Sequence, residues 1–194
     1  GMVRDALWTD FNDDELVDLI VLGEWMPVSF FQQTLVNGQP RFVDMTKAFD
    51  MGNSTGWWRS INAGDFDDDG DVDYLVGNQG HNNPYQPNKD QPISVVAKDF
   101  DNNGILDPIL FGYKKRSRDE EQEEPFPIPN RGDLLKQMSR LGERFPTFKD
   151  YGQTNKDDML SWRDMEGAIH KKANNFSSSY IENQGDSAFK LKPL

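Results

Sequence analysis

The sequence predicts an all-β protein of recurring four-stranded antiparallel units, with a mostly helical insertion toward its C-terminal end. Three observations predict it. Acidic segments of one design recur near Asp10, Asp65 and Asp99, and each runs into a short apolar stretch. Two other stretches alternate apolar and polar residues around a turn signal. Between the third acidic segment and the last alternating stretch, apolar residues fall instead at helical spacing.

The acidic segments read TDFNDDELVDLIVLG from Thr9, GDFDDDGDVDYLVG from Gly64 and KDFDNNGILDPILFG from Lys98. Their unequal spacing points to one recurring unit with connections of different length. SINAG (60–64) and ISVVAK (93–98) precede the second and third, and LIVLG, YLVG and PILFG follow the three. Short apolar runs flanking a turn read as hairpins, so each acidic stretch is expected to join two strands. The stretch 28–46 alternates around Asn37-Gly38, a strong hairpin signal, and 178–194 does the same around Gln184-Gly185. An inner hairpin carrying the acidic loop, followed by an outer hairpin, makes a four-stranded unit of the kind that forms a β-propeller blade.

Residues 114–130 combine a charge run with a Pro-rich stretch and read as an exposed, mobile connector. From Arg131 to Phe145, Leu134, Leu135, Met138 and Leu141 stand at helical spacing, and a second helix is expected over about 156–172. The expected organisation is therefore blades over 1–113, a connector and helical insertion over 114–175, and the outer hairpin of a further blade over 176–194. Arg131-Gly132-Asp133 spells an integrin-recognition tripeptide, but at a helix start its aspartate has a structural reason to be there.

Composition excludes several functions. A net charge of -12 disfavours nucleic acid, whose phosphates need clustered Lys and Arg. With no cysteine there is no thiol nucleophile, disulfide or thiolate zinc site. His81 and His170 are too far apart in sequence to suggest a His-rich metal site. No apolar run approaches the length of a membrane span. Trp57 and Trp58 read as blade packing, and the polar loop 77–88 reads as a connection between blades.

The loops carry the chemistry. Residues 10–18, 65–73 and 99–107 hold five, six and three of the 33 acids. Such like charges repel unless a cation joins them. Counted from Asp65, side-chain oxygens fall at the first, third, fifth and ninth positions (Asp65, Asp67, Asp69, Asp73), with Gly70 at the sixth. Calcium takes six to eight hard oxygens, and alternate side chains of a tight loop can face one ion while the seventh residue, Asp71, offers its carbonyl. The third loop supplies Asp99, Asp101, Asn103 and Asp107, with Gly104 at the turn and the carbonyl of Ile105. The first supplies Asp10, Asn12, Asp14 and Asp18 with the carbonyl of Leu16, but Glu15 stands where glycine is expected. A strand rather than a helix follows each loop, so none of them is an EF-hand.

These D-x-D-x-D-G-x-x-D loops resemble the FG-GAP/VCBS repeats, as in integrin α-subunit propellers. GEWMPVSFF, GWWRSINAGDFDDDGDVDYLVGNQG, AKDFDNNGILDPIL and RGDLLKQMSRLGERFPTFKDY look like segments of bacterial VCBS proteins related to the ASPIC/UnbV group. The resemblance implies a partial propeller: such rings have about seven blades, and this chain would supply roughly three to four. It also implies Ca2+ as a structural ion, an extracellular, cell-surface or periplasmic location, and a non-catalytic adhesion module for a protein or glycan. Open blade faces would favour self-association. The alternative is a propeller hydrolase or lyase acting on polysaccharide.

Overall fold

Each acidic segment folds as a turn between antiparallel strands, and the three turns close in the same register. The computed structural model describes residues 1–185 and 188–194. Its strands are, in chain order, β1 (Met2–Thr9), β2 (Asp18–Met26), β3 (Ser29–Val36), β4 (Gln39–Asp44), β5 (Gly56–Trp57), β6 (Ser60–Gly64) and β7 (Asp73–Gly77). There follow β8 (Ile93–Lys98), β9 (Asp107–Lys115), β10 (Glu123–Pro127), β11 (Ile169–Ala173), β12 (Ser179–Asn183) and β13 (Phe189–Pro193). In β1–β2, β6–β7 and β8–β9 the residue before the loop pairs with the aspartate that ends it: Thr9 with Asp18, Gly64 with Asp73, Lys98 with Asp107. The hairpin β3–β4 turns at Asn37-Gly38, both at positive φ (53° and 74°), the conformation its two-residue loop demands.

The chain divides into two compact units, Gly1–Asn88 with Ala173–Leu194, and Lys89–Lys172. The first unit contains two sheets. One runs β1-β2-β3-β4, with β5 also pairing β2, and the other runs β13-β12-β7-β6. Alternation along the strands puts Ile20, Leu22 and Phe30 of the first sheet into a shared core with Ile61, Tyr74, Val76, Ile181 and Phe189 of the second. The rings of Phe11, Phe30, Phe49 and Phe189 form its centre; Phe30 and Phe189 lie 4.8 Å apart, and Phe11 meets the other three edge-on at 5.5–5.8 Å. Phe11 is the second residue of the first acidic loop and is 1% exposed, so core packing holds that loop at its base.

The second unit contains the sheet β10-β9-β8-β11. Val96, Ile109 and Phe111 pack beneath short helices through Leu134, Met138, Phe145, Tyr151, Met159 and Leu160, and Phe100 of the third loop joins them. Among the described residues no helix is long and apolar enough to cross a membrane. The all-β class and the sheets of four or five antiparallel strands are consistent with a partial propeller-like fold.

Four expectations change. The last hairpin, β12–β13, does not begin a further blade; Ser179, Tyr180 and Ile181 pair with Val76, Leu75 and Tyr74, so it completes the sheet of the second acidic loop. The inserted unit accordingly starts near residue 89 rather than 114, and it includes the third acidic loop. Residues 114–130 are not a free connector, because 114–115 end β9 and 123–127 pair with it as β10. Prolines 125 and 127 fit there because β10 is an edge strand. The two long helices are five short ones, α1 (Arg131–Gln137), α2 (Leu141–Arg144), α3 (Phe148–Gly152), α4 (Lys156–Met159) and α5 (Trp162–Met165). Ser139, a weak helix former, stands at the break between α1 and α2; Gly167, at φ 71°, turns the chain out of α5 toward β11. The tripeptide at Arg131 does open α1. Asn130 accepts from the Asp133 amide, and Arg131 donates to the Phe145 and Pro146 carbonyls.

Candidate metal centre

All three loops follow one backbone path. The fourth residue is left-handed in each, Asp13 at φ 56°, Asp68 at 61° and Asn102 at 60°. The sixth also has positive φ, at 64° for Glu15, 97° for Gly70 and 86° for Gly104. Glu15 therefore adopts the conformation of its glycine counterparts, at the steric cost a side chain carries there.

The same hydrogen bonds hold each turn. The first aspartate accepts from the backbone of the sixth residue: Glu15 N to Asp10 at 2.8 Å, Gly70 N to Asp65 at 3.1 Å, Gly104 N to Asp99 at 2.8 Å. The fifth residue accepts from the seventh amide: Leu16 N to Asp14, Asp71 N to Asp69, Ile105 N to Asn103. The ninth accepts from the second: Phe11 N to Asp18, Phe66 N to Asp73, Phe100 N to Asp107. Asp18, Asp73 and Asp107 are all buried.

These bonds leave carboxylate oxygens facing one another. Asp65, Asp67 and Asp73 each offer an oxygen within 4.8 Å of the others, and so do Asp99, Asp101 and Asp107. In the first loop the amide of Asn12 donates to Asp14 at 2.9 Å. Among the described residues, three buried side-chain oxygens have no hydrogen-bond partner, and each belongs to a loop: Asn12 Oδ1, Asp71 Oδ1 and Asp101 Oδ1. Buried acceptors without donors are costly, and a cation is the partner that fits an all-oxygen set of this kind. A cavity of about 600 Å³ lies between the first and second loops, lined by Asp10, Asn12, Asp13, Asp71 and Asn183.

The electrostatics agree. Desolvation and then the neighbouring Asp69 and Asp73 carboxylates push Asp67 above the ordinary carboxylate range. Asp71 is raised by desolvation and Asp69, and Asp18 and Asp107 are raised chiefly by burial. A raised folded-state pKa contributes stability at low pH that is lost as pH rises through it. Without a cation the loops thus become less favourable toward neutral pH, and protons compete with any metal for the same oxygens. Any increment that a divalent cation adds to the melting temperature is expected to be largest near neutral pH. It should shrink as pH falls, beginning above 3.8, the ordinary aspartate value. Thermal unfolding with calcium or chelator, repeated from neutral to acidic pH, checks this.

The outer hairpin reaches into the second loop. The Tyr180 hydroxyl donates to Asp73 Oδ2 at 2.6 Å and lies 3.3 Å from Asp67 Oδ2. The Asn183 amide donates to Asp73 Oδ1 at 2.9 Å. The first loop has a matching backbone contact, Gln33 N to Asp18 Oδ1 at 2.7 Å. Desolvation and the two aspartates push the Tyr180 phenol up, which keeps it a donor. Local sequence gave no signal for these contacts, which span more than a hundred residues.

A polar cluster elsewhere in the first unit also escaped the sequence reading. His81 Nε2 lies 2.8 Å from Ser177 Oγ, and His81 Nδ1 lies 3.3 Å from Gln86 Oε1. Gln86 Nε2 donates to the His81 and Asn83 carbonyls, which turns its oxygen toward Nδ1. In the neutral tautomer protonated at Nδ1, His81 would donate to Gln86 and accept from the Ser177 hydroxyl at Nε2. Trp57 is half-buried and its ring is packed among those of Trp25, Tyr85 and Phe176.

A family model described as FG-GAP-like repeat matches residues 10–76. The match begins at the first residue of the first acidic loop and extends into β7, so it takes in two of the three loops. It supports an FG-GAP repeat protein. No curated protein and no solved structure gives a match to the chain.

Proposed function

We propose that this chain, which carries an FG-GAP-like repeat over residues 10–76, is a calcium-binding segment of a β-propeller from an exported or cell-surface protein, in the manner of the bacterial VCBS group. Its role is that of a non-catalytic binding or adhesion module for a protein or glycan. The observation that carries the reading is the pair of convergent carboxylate triads, with unpartnered buried oxygens in each of the three loops. Bound calcium would supply the positive charge that lets these oxygens converge. The residues that would hold it are Asp65, Asp67, Asp69, Asp73 and the carbonyl of Asp71 in the second loop. Their counterparts are Asp99, Asp101, Asn103, Asp107 and the Ile105 carbonyl in the third, and Asp10, Asn12, Asp14, Asp18 and the Leu16 carbonyl in the first. The ion's part is structural: it fixes the inner hairpin of each unit and the surface around the loops.

The same reading includes pairing of two copies through the outer face of the first sheet. Trp8, Leu35 and Phe42 are 61%, 57% and 44% exposed there, and Trp8 and Phe42 lie ring to ring at 5.9 Å. A strict monomer in light scattering would remove that part. A glycan and peptide array probed with and without calcium tests the main one. Calcium-dependent capture of one ligand class supports an adhesion module, and turnover of an arrayed glycan supports an enzyme.

The second reading is a propeller hydrolase or lyase acting on polysaccharide; the Ser177–His81–Gln86 chain would suit only a hydrolase that removes ester substituents from a glycan, because glycosidic bonds are cleaved by carboxylate pairs. The neutral glutamine would hold the imidazole in the required tautomer but would not stabilise its charged form as an aspartate does. Labelling of Ser177 by a fluorophosphonate probe would support an esterase at this chain over the binding module.

A further inference from the structure

The second acidic loop is built into its sheet differently from the other two. We propose that Tyr180 is a positioning residue of its calcium site, and that occupancy of this site locks the hairpin β12–β13 onto β7. The inference rests on the calcium reading above and concerns what that ion controls.

The argument starts from topology. β7 and β12 are neighbours in one sheet, yet the inserted unit, Lys89–Lys172, lies between them in sequence. In a hairpin the turn fixes the register, and a one-residue slip would move every side chain to the opposite face. No short turn does that for β7 and β12. At the loop end of the pair the contacts beyond the ladder are polar and centre on Asp73; at the other end Asn78 donates to Ser178 Oγ and to the Asn175 carbonyl. Asp73 accepts from Tyr180 Oη at 2.6 Å and from Asn183 N at 2.9 Å, as well as from Phe66 N in its own loop at 3.1 Å. Asn183 Nδ2 also donates to the Val72 carbonyl. Asp73 is thus shared between the candidate ligand set and the docked hairpin.

Tyr180 adds a link that the matching positions lack. Its hydroxyl lies between Asp67 and Asp73, two members of the convergent triad, and so it orients both carboxylates from outside the ligand set. Its ring meets Phe66 edge-on at 6.3 Å. Phe66 is the second residue of this loop, and 47% of it is exposed, whereas Phe11 and Phe100 at the same position pack into cores. At its second residue the second loop is therefore held by the outer hairpin where the others are held by a core, while Val72 packs on the core at its eighth. In the first sheet Phe30, facing Ile20 as Tyr180 faces Leu75, carries no hydroxyl. A cation that fixes Asp67 and Asp73 fixes the acceptors that Tyr180 and Asn183 require, and the docked hairpin in turn holds those carboxylates ready for the ion.

The test is amide hydrogen exchange across a calcium titration of the whole chain, comparing wild type with Tyr180→Phe. In wild type, calcium should slow exchange in residues 179–183 together with the second loop. Loss of an outer partner typically weakens a metal site by about 10- to 100-fold. Tyr180→Phe should therefore need about tenfold more calcium to protect the second loop and β12, with the amides of Asn103–Ile105 in the third loop responding as in wild type. The wild-type measurement stands whether or not the variant folds. If calcium protects both loops but leaves β12 unchanged, or if Tyr180→Phe titrates as wild type, the coupling is wrong and the calcium reading survives. If neither loop responds, the calcium reading fails as well.

Discussion

Asp73→Ala is expected to destabilise the protein by about 3 kcal/mol, the upper end for hydrogen bonds to a buried charged group. Asp73 is 0% exposed and accepts from Phe66 N, Asn183 N and the Tyr180 hydroxyl. Truncation leaves three donors without their acceptor and removes two of the side-chain contacts that reinforce the β12–β7 ladder. Each unsatisfied buried donor costs about 1–3 kcal/mol, and donors that share one acceptor do not add independently. Because these bonds exist without a metal, chemical denaturation should show the loss in chelator as well as in calcium. Asp67→Ala should behave otherwise. Asp67 is exposed, and its bond from Tyr180 is the longer one at 3.3 Å, so its substitution should cost little in chelator and much more in saturating calcium.

The second large effect is that of calcium itself. A ligand at a hundredfold excess over its dissociation constant stabilises by roughly 2.7 kcal/mol per site, and extracellular modules typically bind calcium at about 10⁻⁴–10⁻³ M. Adding chelator should lower the melting temperature by several degrees for each site that fills. The three loops should not contribute equally. The second has the most carboxylates and Gly70 at the turn, the third has one amide in place of a carboxylate and keeps Gly104, and the first must place Glu15 at φ 64°. In saturating calcium, Asp67→Ala should therefore cost more stability than Asn12→Ala, which removes the same position from the first loop.

The parts of this fold that were legible in the sequence are those set by neighbours along the chain. Strand–turn–strand patterns place β1–β2, β6–β7 and β8–β9 around the acidic loops, and Asn37-Gly38 places the turn of β3–β4. The spacing of Asp65, Asp67 and Asp73 puts their oxygens together because the intervening backbone turns at Asp68 and Gly70. What periodicity could not supply is partnership at long range. Nothing local in residues 178–194 distinguishes a hairpin that starts a new sheet from one that completes the sheet begun at Ser60. The charge run after Lys115 hid β10, since its prolines argue against a strand unless the strand lies at an edge. A phenylalanine at the second position of every loop was a visible signal that went unused. Phe11 and Phe100 turn out to be the anchors that join two of the loops to their cores.

Calcium titration by isothermal calorimetry on the metal-free protein tests the central claim most directly. The account predicts binding heat from at least two sites, with the tightest abolished by Asp67→Ala and the next by Asp101→Ala. Absence of any calcium heat, together with a melting curve indifferent to chelator, would contradict it and leave the three loops as acidic turns closed by their own backbone hydrogen bonds.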